Sequence, residues 1–361
     1  MEFSVFIIGP TAGQGSEAQV YDSILREIRL ADELGFDALW FAEHHFDNLF
    51  STCPSPNLFL AIASQTTRRI KIGTAITVLP FHQPTRLAEE GAMLDRLSNG
   101  RFQWGIGRGI TGHEFRSLGL DAANSSRVFT EIHDAVIAAW TTGRMEYDGA
   151  FVKVPSTEIA PRVVQQPHPP VWMTAQSPSS VEWAAEHDYP AMQIGEDLAA
   201  GAAQRQRYEA AARRAGVTIR RGGIVPLRMV CVAPTDAEAK AIAGDRVVRF
   251  WDHTARTTAP VFSQSPGAAA GTAGYEYWLT QNPSRFQGTG VDGLIEAGLV
   301  LAGSPGSVID QVRRQVDFLG CSHLMCDFWR PSGIEEREAS MRLFAEEVIP
   351  AFAHDVRAAA E

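Results

Sequence analysis

Short apolar runs and longer stretches of helical periodicity alternate along this chain. Residues 2–8 form the first apolar run, and a Gly/Pro-punctuated loop, 9–15, follows it. Apolar positions then recur at helical spacing over 17–34, and Gly35 supplies a C-terminal stop. The spacing predicts a second strand at 38–42, a loop at 46–56 and a helix at 57–66. A third strand is expected at 70–79, after which Pro84 opens a helix that Asn99-Gly100 closes. The fourth strand is 102–107, followed by a helix over 126–142. Residues 144–168 read as a β-hairpin excursion turning at Tyr147-Asp148-Gly149. Strands at 171–175, 191–194 and 225–233 are each followed by a helix, at 179–186, 198–215 and 235–250. Residues 305–319 are helical, 323–329 form the eighth strand, and 335–357 the closing helix.

Eight strands alternating with helices predict an α/β chain folded as a (β/α)8 TIM barrel, one domain over 1–361. An open doubly wound sheet is the alternative, but no GxGxxG follows the first strand. Residues 254–295 break the pattern. They are rich in Gly, Ala, Ser and Pro, with Tyr275, Tyr277 and Trp278 embedded. A stretch of that length reads as a late insertion, either a functional lid or disordered.

Composition narrows the class only broadly. With 361 residues and 45% hydrophobic content the chain can bury a sizeable core. No apolar run reaches membrane-spanning length, and the N-terminus lacks the basic start of a secretory signal. A net charge of −10 disfavours nucleic acid or an anionic membrane as the main partner. A cytoplasmic enzyme is expected. Cys53, Cys231, Cys321 and Cys326 show no CxxC spacing, so neither a disulfide nor a zinc site is expected.

Barrel enzymes carry their chemistry at the C-terminal ends of the strands. There the second strand runs into Glu43-His44-His45-Phe46. Adjacent residues point to opposite sides, so one of the two imidazoles faces the barrel mouth. A carboxylate beside imidazoles suits proton transfer, although capping histidines would leave the same string. A metal site would need more ligands, and no HxH or HxxxH partner is present. The third strand ends on Gly73-Thr74-Ala75, small enough for a flat ring to approach, or simply well packed. His82 adds an imidazole at the same rim.

The fourth strand ends in Gly105-Ile106-Gly107-Arg108-Gly109, where Arg108 offers a forked donor to a phosphate. Ser125-Ser126-Arg127 starts the next helix, and Thr174-Ala175-Gln176-Ser177-Pro178-Ser179-Ser180 leads into another. Helix starts with hydroxyls and a nearby arginine can hold one phosphate group, or be plain N-caps. Phosphate sites in barrels more often follow strands seven and eight, so this placement is unusual.

In their order and spacing these strings resemble the bacterial luciferase-like, flavin-dependent monooxygenases, and among them the luciferase alpha subunits most closely. The resemblance rests on Glu43-His44-His45-Phe46, Gly73-Thr74-Ala75, Gly107-Arg108-Gly109, Asn124-Ser125-Ser126-Arg127 and Glu182-Trp183-Ala184-Ala185. It rests also on the run Leu94-Asp95-Arg96-Leu97-Ser98-Asn99-Gly100-Arg101-Phe102 and, more weakly, on Gly303-Ser304-Pro305. The resemblance implies a barrel that binds reduced FMN at its mouth. It assigns His44 as the catalytic base, with His45 or Glu43 orienting it. It puts Arg108, Arg127, Ser177 and Ser180 on the flavin phosphate, and Ala75 beside a non-proline cis peptide under the ring. Gly107, Ala175 and Gln176 fall among the other cofactor contacts. Gly107 stands where the luciferase has a reactive cysteine, Gln176 where it has a glutamate, and His82 one place before the family's histidine. The segment 144–170 and the lid, which shape the substrate pocket, differ from the luciferase.

The function so implied is a two-component monooxygenase. A separate NAD(P)H:flavin reductase would deliver FMNH2, and dioxygen would add to it as a C4a-(hydro)peroxyflavin. One oxygen atom would then pass to a small organic substrate, made moderately apolar by a rim of Phe46, Phe81, Trp251 and Trp329. The resemblance also implies a homodimer through barrel helices. An F420-dependent oxidoreductase on the same fold, and a non-catalytic flavin-binding subunit, are the alternatives.

Overall fold

The computed structural model describes residues 1–12, 14–263, 288–330 and 332–353, with side chains of 251–263 excepted. Eight parallel strands close into a barrel. They are β1 (Glu2–Ile7), β2 (Ala38–Phe41), β3 (Lys71–Thr74), β5 (Phe102–Gly107), β8 (Val171–Thr174), β9 (Pro190–Ile194), β10 (Gly223–Val232) and β12 (His323–Asp327). Between them in the chain lie β4 (Thr77–Val78), the antiparallel pair β6 (Arg144–Asp148) and β7 (Lys153–Glu158), and β11 (Val300–Gly303). β1 lies between β2 and β12, and the β9–β10 ladder completes the ring.

These strands are nearly continuous apolar runs because both their faces are covered. Outward residues pack on helices: Phe3 meets Phe344 and Phe352 edge-on, and Phe41 stacks on Phe59 at 5.3 Å. Inward residues fill the barrel. Trp172 meets both Trp40, at 4.9 Å, and His323, at 5.0 Å, while Ser4 Oγ lies 2.8 Å from His323 Nε2. Ser4, Phe6, Trp40 and His323 therefore mark the inward register.

Several predicted boundaries move. The third strand is interrupted: β3 stops at Thr74, the Ala75–Ile76 peptide is cis, and β4 then pairs with β5. In the hairpin, Tyr147 and Asp148 belong to β6, and the turn lies beyond them, where the Gly149 N–H donates to the Val152 carbonyl. The helix expected at 235–250 runs on as α8 (Asp236–Ser263), so 254–263 is not part of an insertion. At the far end of the supposed lid, Gly290–Glu296 is helical, and residues 264–287 lie outside the described residues. β11, unforeseen, pairs with the last four residues of β10. The closing helix is Ile334–Leu343, continued by π and 3-10 turns to Phe352. All four cysteines are buried, and no described helix is long and apolar enough to cross a membrane.

Candidate active site

The alternation that turns Trp40 inward and Phe41 outward, carried past the end of β2, puts His44 on the barrel side and Glu43 on the other. The contacts agree. His44 Nδ1 lies 3.1 Å from Glu114 Oε1, and the same oxygen accepts the His45 N–H at 2.8 Å. Glu114 is 2% exposed and sits on a short helix, Gly112–Ser117, in the loop after β5. Phe50 packs edge-on against the His44 ring at 4.7 Å. With Nδ1 directed at a buried carboxylate, the imidazole is oriented and its Nε2 is the nitrogen left for chemistry.

The expectation that Glu43 or His45 orients His44 is therefore corrected: Glu114 makes that contact. Glu43 is fully engaged elsewhere. Its Oε1 meets His45 Nε2 at 3.1 Å and His82 Nε2 at 2.8 Å, and its Oε2 accepts the Val78 N–H at 2.8 Å. Burial pushes the Glu43 carboxyl up, but the hydrogen bonds from His45, His82 and Val78 outweigh it, and the net shift is downward from 4.5. Burial likewise depresses His82, and Glu43 outweighs it, so His82 rises above 6.5. Glu43 thus stabilises the fold above pH 4.5, and this fades as pH falls through its folded value. His82 stabilises it below pH 6.5, and this fades as pH rises through its own. Glu43→Gln should cost about 2 kcal/mol between these limits, with the gap narrowing on either side. Denaturant melts across pH measure it, and a pH-independent gap would contradict the pairing.

The ends of β3 and β5 meet closely. A Cβ on Gly105 would stand 1.8 Å from the Thr74 carbonyl oxygen, and one on Gly107 2.1 Å from Ile76 Cδ1. Gly109 needs its φ of +76°, a conformation glycine adopts freely. Thus Gly107 serves the packing of β5 against the segment that carries the Ala75–Ile76 cis peptide.

β5 and β8 are hydrogen-bonded neighbours, so Arg108 and Ser177 leave adjacent strand ends. Ser177 caps the helix α6 (Pro178–Glu186), its Oγ accepting from the Ser180 N–H and lying 3.0 Å from Ser180 Oγ. Pro178 at the first helical position and two hydroxyls make this an anion-ready N-terminus. Arg127, by contrast, is exposed, and its guanidinium stacks on Phe151 at 4.8 Å. The Ala175 carbonyl accepts from Gln193 Nε2 and the Gln176 carbonyl from Gln204 Nε2, each at 2.9 Å. Those bonds fix the backbone, yet both side-chain amide atoms of Gln176 are buried without a partner. A buried unsatisfied amide costs about 1–3 kcal/mol per group, so Gln176 is built to meet something polar. Of the predicted rim aromatics, Phe46 is exposed and Phe81 packs on His45 and Phe115. Trp329 is fully buried, because Arg337 covers its ring at 3.3 Å, and so is not on the rim. The Trp251 side chain lies outside the described residues.

Known proteins resemble this chain in sequence and in fold. The family model described as luciferase-like monooxygenase matches residues 1–322. The alkanal monooxygenase alpha chain of Photorhabdus luminescens is 29% identical over 358 residues, covering 97% of this chain and 96% of its own. The oxygenase component of the flavin-dependent trigonelline monooxygenase of Acinetobacter baylyi is 36% identical over 190 residues, 52% of each chain. Among solved structures, the oxygenating constituent of 3,6-diketocamphane monooxygenase from Pseudomonas putida, in complex with FMN, shares the fold. It superposes with a TM-score of 0.76 at 22% identity, over 97% of this chain and 98% of that one. The chain belongs to the luciferase-like monooxygenase family.

Proposed function

We propose that this chain is the oxygenase component of a two-component monooxygenase, which takes reduced FMN from a separate reductase and oxygenates a small organic substrate. The observation that carries the reading is the His44–Glu114 pair at the barrel mouth, an imidazole held by a buried carboxylate with its second nitrogen free for a proton. The residues around it fit a flavin. Small side chains end β3, the two unpartnered amide atoms of Gln176 want polar partners, and Arg108 with the Ser177 cap offers donors to a phosphate. When bound, reduced FMN supplies the electrons that activate dioxygen.

The chain's own residues do the rest. Arg108, Ser177 and Ser180 hold the phosphate and so set the position of the ring. Gln176 would offer its unpartnered amide to a polar edge of the flavin. His44 holds or moves a proton at Nε2, and Glu114 fixes its tautomer. The inward apolar residues keep water from the reacting oxygen.

The test supplies reduced FMN from an unrelated flavin reductase, with isotope-labelled dioxygen and a panel of small organic acids, ketones and heteroaromatics. Label is expected in a product of at least one compound. Release of all the consumed oxygen as hydrogen peroxide with every compound would contradict the proposal. Hydride transfer with reduced F420 in place of FMN would instead support the F420-dependent alternative.

A further inference from the structure

The loop after β12 holds a buried cation that the chemistry above does not use. Arg330 is 7% exposed. Its Nε pairs with Asp327, the last residue of β12. Its guanidinium lies 5.6 Å from the ring of Phe6 and 4.6 Å from that of Phe250, on α8. Phe6 is an inward residue of β1 and pairs in register with Trp40 of β2, the strand that leads to His44. Arg330 therefore stands over the barrel mouth, with β1 between its own strand and the one that leads to His44. Its Nη2 is buried and has no hydrogen-bond partner.

The loop that presents it is pinned. Asp327 Oδ1 accepts the N–H groups of Trp329 and Arg330 at 2.9 and 3.3 Å. Gln14 Nε2 donates to the carbonyls of Trp329 and Ser332 at 2.9 and 2.8 Å. Arg337 Nη2 donates in turn to Gln14 Oε1 at 3.0 Å, and Arg337 Nη1 pairs with Glu27. A guanidinium fixed this way has lost its freedom before any ligand arrives, which is the condition for tight, selective recognition.

We propose that Arg330 is the specificity-determining residue of this site, and that its Nη edge receives the carboxylate of an organic-acid substrate. Asp327 occupies the Nε side, so the terminal fork is the part left for a planar, two-oxygen acceptor. Two phenyl rings exclude water from it, which strengthens a charged hydrogen bond. The surrounding charge favours an anion. Burial pushes the Glu27 carboxyl up to about 7 despite Arg337 and raises Asp327 as well, so these two carboxyls offset the two guanidinium groups less than solvated ones would. This inference rests on the reading of the mouth as the substrate site, and it adds a carboxylate to the moderately apolar substrate suggested by the rim aromatics.

The test compares acid and amide of the same shape, benzoate with benzamide and hexanoate with hexanamide, by calorimetric titration of the FMN-loaded protein. The wild type should bind at least one acid about tenfold to a hundredfold more tightly than its amide. Arg330→Met should erase that preference, and Arg330→Lys, which keeps the charge if Met unfolds the loop, should retain part of it. Equal affinity within both pairs, no binding of either acid, or an undiminished preference in Arg330→Met would overturn the assignment. FMN affinity, measured in the same samples, separates the two readings. Retained FMN binding with no acid preference removes Arg330 alone, whereas absent FMN binding removes the flavin site itself.

Discussion

His44→Ala is expected to bind FMN as the wild type does and to form oxygenated product about 10²–10⁴-fold more slowly, the usual worth of a positioned proton-transfer group. The side chain is placed for that role by two contacts. Phe50 and the imidazole pack edge-on at 4.7 Å, and Glu114 takes Nδ1. Truncation removes the proposed proton carrier and leaves Arg108 and the Ser177 cap untouched, so binding and turnover should separate. Glu114→Gln should fall between, with kcat lowered and FMN affinity unchanged, because it acts through His44 rather than on the substrate. The measurement is labelled-product formation beside FMN titration for each variant. Unchanged turnover in His44→Ala would remove the imidazole from the mechanism.

Arg108→Ala should weaken FMN binding by about tenfold to a hundredfold, the scale of a charge-assisted hydrogen bond lost from a phosphate. Riboflavin, which lacks the phosphate, should bind the variant and the wild type alike. This contrast isolates one contact from general damage to the mouth, since misfolding would weaken both ligands. Arg127→Ala should have the smaller effect, because its guanidinium is exposed and already stacked on Phe151. Equal losses for FMN and riboflavin would mean that Arg108 supports the loop rather than the phosphate.

The barrel was legible because strands covered on both faces leave plain apolar runs, and each ran into a recognisable helix. The strand ends were legible because Glu43-His44-His45, Gly107-Arg108-Gly109 and the Ser177 helix start put ionisable or hydroxyl groups directly after those runs. What escaped were pairings between distant segments. Glu114 stands 70 residues from His44, on a helix of only 6 residues, and nothing local marks it as a partner. Arg330 was hidden in the same way, its buried setting made by Phe6 and Phe250. β11 is a four-residue run beside residues that read as insertion, too short to carry a period of its own. The helix α8 overran its expected end because Thr254–Pro260 lacks the apolar stripe by which helices are recognised.

If the mouth is built for a phosphate-bearing reduced flavin, its ligand preference should show it. The decisive experiment is anaerobic titration of the wild-type chain with reduced FMN, reduced riboflavin and reduced F420. Reduced FMN should bind about tenfold or more tightly than either of the others, and Arg108→Ala should remove its advantage over riboflavin. Tighter binding of F420, or no saturable binding of reduced FMN, would contradict it.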